Sequence, residues 1–188
     1  MVGAVIDAIH YTLGEYTSSN HHLQIQRPNQ RVLDAGTRAT IKNVISDVPD
    51  LVSVHGTLQR SQHVTEGASL VVNFRSGPPF PGTLPLIWTI QGDKGTIRVT
   101  SERGPIALNA DSSGPIPIEV HDHASGEVKI VEWEWEEWQV GLPAKARNIG
   151  KVYDLLWDRT EGRLGDVGGL VDFEAAVARH KQLDGILW

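Results

Sequence analysis

Between Pro49 and Ser101 the chain alternates apolar and polar residues almost without a break, and few folds accommodate that pattern. Val52, Val54 and Leu58 interleave with Ser53, His55 and Thr57. Leu70, Val72 and Phe74 interleave with Val71, Asn73 and Arg75. The same period recurs in Leu86, Trp88 and Ile90, and in Ile97 and Val99. A two-residue period over four to eight residues predicts half-buried strands. The segments between them are turn-formers: Thr65-Glu66-Gly67, the Gly77 to Gly82 loop and Gly92-Asp93-Lys94-Gly95. Connections this short join antiparallel neighbours, because a parallel return needs a dozen or more residues. The stretch therefore reads as a meander with one face on a core and the other left open.

The flanks have a different period. Ile6, Ile9, Leu13 and Tyr16 are spaced as one face of a helix, with Gly14 as its stop. That helix starts almost at Met1, so the chain is expected to be cut from something longer. Short strands are expected at His22–Gln26, Thr40–Val44, Pro105–Asn109, Ile116–His121 and Glu127–Glu136, the last with Trp133 and Trp135 on one face. Beyond Pro143, Ile149, Val152, Tyr153 and Leu156 fit a helix of about four turns. After a glycine-rich loop over 162–169, a final helix is expected from Asp172, using Phe173, Val177, His180 and Leu187. The expected fold class is α+β: one open-faced, mainly antiparallel sheet with helices on one face, as a single domain over residues 1–188.

Composition narrows the function classes. With 188 residues the chain can bury a core without covalent staples, and with no cysteine it has neither disulfides nor thiolate metal sites. A reducing, cytoplasmic setting is expected. The net charge of −6, with Lys and Arg scattered, argues against nucleic acid. No signal peptide and no apolar run of bilayer length is present, so no membrane partner is expected.

Chemistry-bearing residues are few. Asp7 and His10 lie one helical turn apart and are the candidate proton-transfer pair, weighed against local pairing of Asp7. His121-Asp122-His123 and His21-His22 are ligand-type residues, but the first run sits at a turn, where polar residues are expected anyway; no metal site is assigned. Trp133, Trp135 and Trp138 suit a packed face or a subunit interface better than a sugar platform. Glu132, Glu134, Glu136 and Glu137 read as a solvated face. Gly92-Asp93-Lys94-Gly95 joins two strands and has no phosphate-loop spacing, and no G-x-G-x-x-G occurs.

Three segments together resemble a known family: Ile6 to Glu15; Pro49-Asp50 through Leu58, with Asn73-Phe74-Arg75-Ser76-Gly77 and Trp88 to Gly95; and Phe173 to Val177 with His180 and Leu183-Asp184. The chain is similar to the C-terminal domain of Gfo/Idh/MocA-type oxidoreductases, in the fungal branch similar to the galactose-regulon repressor. The resemblance implies an open sheet backed by helices that supplies a substrate-side surface and oligomer contacts. Tyr11 and Trp88 are the candidate substrate-binding residues on that basis. It also implies an N-terminal Rossmann domain holding NAD or NADP, for which this chain has no counterpart, so no cofactor is expected here. The family's Asp-x-x-x-His-x-x-Asp pattern places its last Asp at Asp7 and its His at Ala4. The expected activity is that of a non-catalytic domain of an NAD(P)-dependent sugar or polyol dehydrogenase. A homodimer through the open sheet is expected. The alternative is a regulatory module that binds another protein.

Overall fold

The computed structural model describes residues 2–105, 116–163 and 171–187. They form two compact units, Met1–Gly77 with Ala176–Trp188, and Pro78–Ala175. Helices and mainly antiparallel open sheets make the chain α+β.

In the first unit, α1 (Val2–Leu13) stops where the glycine predicts. Gly14 has φ +89°, and its N–H donates to the His10 carbonyl at 2.8 Å, a left-handed C-terminal cap. Tyr16 leaves the helix and starts β1 (Tyr16–Gln24), which begins earlier than the expected His22. β1 pairs with β4 (Leu51–Leu58), and β4 with β5 (Ser69–Arg75), all antiparallel. Between them in sequence, β2 (Asn29–Leu33) and β3 (Thr40–Ile45) form a separate hairpin. The Asp34 carboxylate holds its turn, accepting the N–H groups of Gly36 and Thr37 and the Thr37 hydroxyl.

Register explains the core. Leu23, Val52 and Phe74 lie side by side across the three strands. Val52 and Val54 are buried with Ile6 of α1 and with Ile186 of α4 (Phe173–Leu187). Tyr16, Leu23, Phe74 and Leu183 close around them. Burying a side chain such as Ile6, 1% exposed, contributes about 2 to 3 kcal/mol. On the opposite face Asn20 meets His55, and His22 meets Ser53, whose hydroxyl donates to Asn73 at 2.8 Å. That open face is mainly polar, with Val71 exposed opposite His55. Gly56 is required here: a Cβ on it would stand 2.2 Å from the Ser18 carbonyl oxygen, where β1 bulges between Tyr16 and Ser18.

The second unit holds the order β6 (Leu86–Gln91), β7 (Gly95–Ser101), β8 (Ile118–Asp122) and β9 (Val128–Ile130), again antiparallel throughout. The alternating stretch is thus not one meander. Its four strands form two hairpins in two different sheets, because alternation sets which face a residue takes and not which strand pairs next. The expected strand at Pro105–Asn109 lies outside the described residues after Pro105. The strand expected over Glu127–Glu136 ends at Ile130. Trp133 and Trp135 therefore share no strand face. The Trp133 indole N–H donates to the Ile116 carbonyl at 2.9 Å, and the two rings pack edge to face with centroids 5.6 Å apart.

Two helices follow, α2 (Glu137–Val140) and α3 (Arg147–Thr160). α2 is closed by a capping box between Glu136 and Gln139. Gln139 is buried and donates to the Arg147 carbonyl at 3.1 Å. Lys151 donates to Glu136 at 2.6 Å and to Asp154 at 3.1 Å. Gly150 leaves room for Leu142 and Trp138, which a Cβ would meet at 2.8 and 3.0 Å. α3 thus packs Gly150 of its inward side against Leu142 and Trp138, with Leu155 half-buried. Its apolar stripe, Ile149, Val152, Tyr153, Leu156 and Trp157, faces out with 47 to 68% of each residue exposed. The helix is as expected, but its amphipathic face is reversed. α4 starts at the expected cap, with Asp172 Oδ1 accepting the Ala175 N–H at 2.9 Å.

Candidate functional site

Asp7, His10, Glu15, Tyr16 and Arg179 of the first unit come together where α1 ends and β1 begins. His10 is buried, and its Nδ1–H donates to the Gly14 carbonyl at 2.5 Å. This bond selects the neutral tautomer with the lone pair on Nε2. Nε2 has no hydrogen-bond partner among the described residues, and neither has the buried Tyr16 hydroxyl. The two rings meet edge to face, centroids 4.9 Å apart. Desolvation holds His10 below the usual imidazole range, and the nearby Arg179 charge acts in the same direction. The Gly14 hydrogen bond and the charges of Glu15 and Asp7 oppose it. Desolvation pushes the Tyr16 hydroxyl up to about 12. Both rings are therefore uncharged near neutrality.

Asp7 has a different partner. Arg179 of α4 donates from Nε to Asp7 Oδ1 at 2.7 Å, and from Nη1 and Nη2 to the two Glu15 oxygens at 2.9 and 2.6 Å. It also donates to Gln182 Oε1. Burial works against the guanidinium charge, but the bonds and charges of Glu15 and then Asp7 outweigh it and raise the Arg179 pKa. Asp7 and His10, the candidate proton-transfer pair, have separate partners: the carboxylate is on Arg179 and the imidazole on Gly14. Chemically, this arrangement is a charge clamp beside a buried neutral ring. Its long-range partner was missed in the sequence because nothing near Arg179 announces a pairing 172 residues away.

Tyr11 lies one turn beyond Asp7 on the outer face of α1 and is exposed. Trp88 belongs to the second unit, half-buried on β6 opposite Val99, on the sheet face it shares with Leu86 and Ile90. A hollow of about 500 Å³ is lined by residues 26–31 and Leu33, at the β1–β2 connection. It includes none of Asp7, His10, Tyr11 and Trp88. Among the described residues no three His, Asp or Glu side chains converge as a metal site, and no helix is long and apolar enough to cross a membrane.

The comparisons bear on the fold and the family. The sequence matches no curated protein at a significant level. Three solved structures resemble it. A super-repressor mutant of Gal80p from Saccharomyces cerevisiae superposes with a TM-score of 0.74 at 19% identity, covering 98% of this chain and 45% of that one. The transcriptional regulator Gal80p from Kluyveromyces lactis gives 0.70 at 20% identity, covering 98% and 41%. A second super-repressor mutant from Saccharomyces cerevisiae gives 0.69 at 16%, covering 98% and 45%. The chain thus spans less than half the length of these relatives. At such identities they establish the fold. Residues 1–101, more than half of the chain, match the family model described as Gal80p, C-terminal domain, and the chain belongs to that family.

Proposed function

We propose that this chain is the interaction part of a regulatory protein, that it associates with a second copy of itself through the outward face of α3, and that it transfers no hydride on its own. The observation that supports this reading is the reversed helix. A helix normally turns its apolar stripe to the core. In α3 the inward face is fastened by Lys151, Gln139 and the Gly150 contact, and five apolar side chains stand in solvent. Contiguous apolar surface of this kind marks an interaction site.

The stripe spans about 12 Å from Ile149 to Trp157 and is centred on Tyr153. A two-fold axis at Tyr153 would set Ile149 of one copy against Trp157 of the other, with Tyr153 against its own counterpart. Beside the stripe Arg159 is exposed, and the other charged side chains pair within the chain, Lys151 with Asp154 and Arg163 with Asp158 and Glu161. Charges already paired give little to recognise a strongly charged partner, whereas an identical apolar stripe fits it. The expected self-association is retained in this proposal, with α3 in place of the open sheet face as its surface. The likeness to a transcriptional regulator favours a regulatory role over dehydrogenase chemistry. So does the engagement of Asp7 and Glu15 with Arg179.

Sedimentation velocity at tens of micromolar tests the reading, a concentration that detects even weak dimers. A dimer in the wild type and a monomer in Leu156→Glu support it. A wild-type monomer throughout, or a dimer untouched by Leu156→Glu, overturns it.

A further inference from the structure

We propose that His121 and His123 form a two-histidine site for a divalent transition-metal ion such as Zn²⁺ or Ni²⁺. His121 lies on β8 and His123 opens the turn that directly follows it, and their two rings meet edge to face. Both residues are exposed. Their ring centroids are 5.4 Å apart, with the planes at 71°. The spacing matches chelation. With a metal–nitrogen bond of about 2.0–2.1 Å and about 1.1 Å from ring nitrogen to centroid, each centroid lies about 3.2 Å from the ion, and a tetrahedral angle separates the two by about 5.2 Å. The observed centroid separation lies within a few tenths of an ångström of that value.

The surroundings hold that geometry. His123 Nε2 is 3.1 Å from Thr96 Oγ1. With Nε2–H donating to the hydroxyl, the His123 lone pair sits on Nδ1, and metal-bound histidines are oriented by this kind of bond from the second nitrogen. The His123 N–H donates to the Lys94 carbonyl at 3.0 Å, and the Asp122 N–H to the Glu127 carbonyl at 2.9 Å. Asp122 Oδ1 accepts the N–H groups of Ser125 and Ala124, both at 2.8 Å, so the turn after β8 is fastened. Of the nearby lysines, Lys129 is paired with Glu127 at 3.4 Å. Neutral imidazole selects borderline ions over Mg²⁺ or Ca²⁺. Two protein ligands leave the remaining positions to water, so the site is exchangeable.

The test is calorimetric titration of the full chain with ZnCl₂, and separately NiCl₂, in wild type, His121→Gln, His123→Gln and, as a control, His22→Gln. Saturable binding below about 100 μM, weakened at least about tenfold by either of the first two substitutions and unchanged in the control, supports the site. No saturable binding supports only a ring contact and overturns it. So does an affinity unmoved by either substitution, lowered by only one of them, or lowered in the control.

Discussion

Arg179 and Asp7 stand 172 residues apart and are joined by an Nε–Oδ1 hydrogen bond of 2.7 Å. The same guanidinium grips both oxygens of Glu15, so a single side chain of α4 fastens both ends of the segment from α1 to β1. The Arg179 side chain is 12% exposed, but those of Asp7 and Glu15 are 59% and 47% exposed. Solvent therefore screens much of the attraction. Asp7→Asn is expected to cost less than about 1 kcal/mol, as for exposed pairs. Arg179→Ala removes the two-oxygen grip on Glu15 as well and should cost about 1 to 2 kcal/mol. Urea unfolding of both variants measures the order; Asp7→Asn costing as much as Arg179→Ala would contradict the clamp.

His10 makes stability depend on pH in one direction. Its folded pKa lies below the ordinary value of 6.5, chiefly through desolvation. The unfolded chain then binds more protons than the folded one as pH falls past 6.5, so the stabilising effect is whole above that pH and is lost on acidification through the folded value. His10→Asn keeps a donor in place of Nδ1 but cannot titrate. The urea midpoint should fall less in His10→Asn than in wild type between about pH 7.5 and pH 5.5. Equal slopes would mean that other groups carry the acid dependence.

Gly56 offers a test of the β1–β4 register. A methyl group there would lie 2.2 Å from the Ser18 carbonyl oxygen and 2.8 Å from Tyr16 Cδ1, so backbone must move. Gly56→Ala should destabilise by about 1 to 3 kcal/mol, the range for overpacking. By contrast Gly126→Ala meets nothing within 4 Å and should show only the cost of its φ of +72°. Thermal melts of the two variants side by side check this, and Gly56→Ala melting with the wild type would exclude the bulged pairing.

How far these features could be read beforehand depended on their range. Gly14 and Asp172 marked helix ends because caps are local chemistry. Strand positions at Leu51–Leu58 and Leu86–Gln91 followed from alternation. What alternation does not carry is partnership: nothing in Phe74 or Leu86 says that one strand joins β4 and the other a separate sheet. β2 escaped because Asn29–Leu33 has only Val32 and Leu33 as apolar residues. Trp133 and Trp135 misled because a spacing of two also occurs in irregular chain. In the candidate site, Asp7 and His10 were legible as neighbours by helical spacing, yet their actual partners, Arg179 and Gly14, come from tertiary packing and from a cap.

The isolated chain is expected to bind neither NAD nor NADP. A dinucleotide site needs a glycine-rich strand-to-helix turn whose amides and helix dipole hold the pyrophosphate. The tight glycine turn at Gly92–Gly95 instead closes a hairpin, with Gly92 N–H donating to the Gly95 carbonyl at 2.9 Å. Calorimetry should show no saturable heat with either nucleotide up to about 100 μM; binding in that range would mean about 5 to 6 kcal/mol of contact from residues not identified here.

Association through α3 should be driven by apolar burial and therefore resist salt. Screening weakens exposed ion pairs as the Debye length falls from about 10 Å at 0.1 M to about 3 Å at 1 M, while apolar contact is not weakened by it. Of the charged groups beside the stripe, Lys151 is already paired with Asp154, and Arg163 with Asp158 and Glu161, within the chain. The dimer fraction seen by sedimentation should therefore hold steady or rise from about 0.1 to 1 M NaCl. Val152→Lys places a charge within the stripe, where pairing would bury it without a partner, and should shift the chain to monomer. Asn148→Lys, at the edge of the stripe, keeps its charge in water and should leave the dimer in place. Monomerisation by salt alone, or equal loss from Val152→Lys and Asn148→Lys, would show that the contact is electrostatic and lies elsewhere than on the face from Ile149 to Trp157.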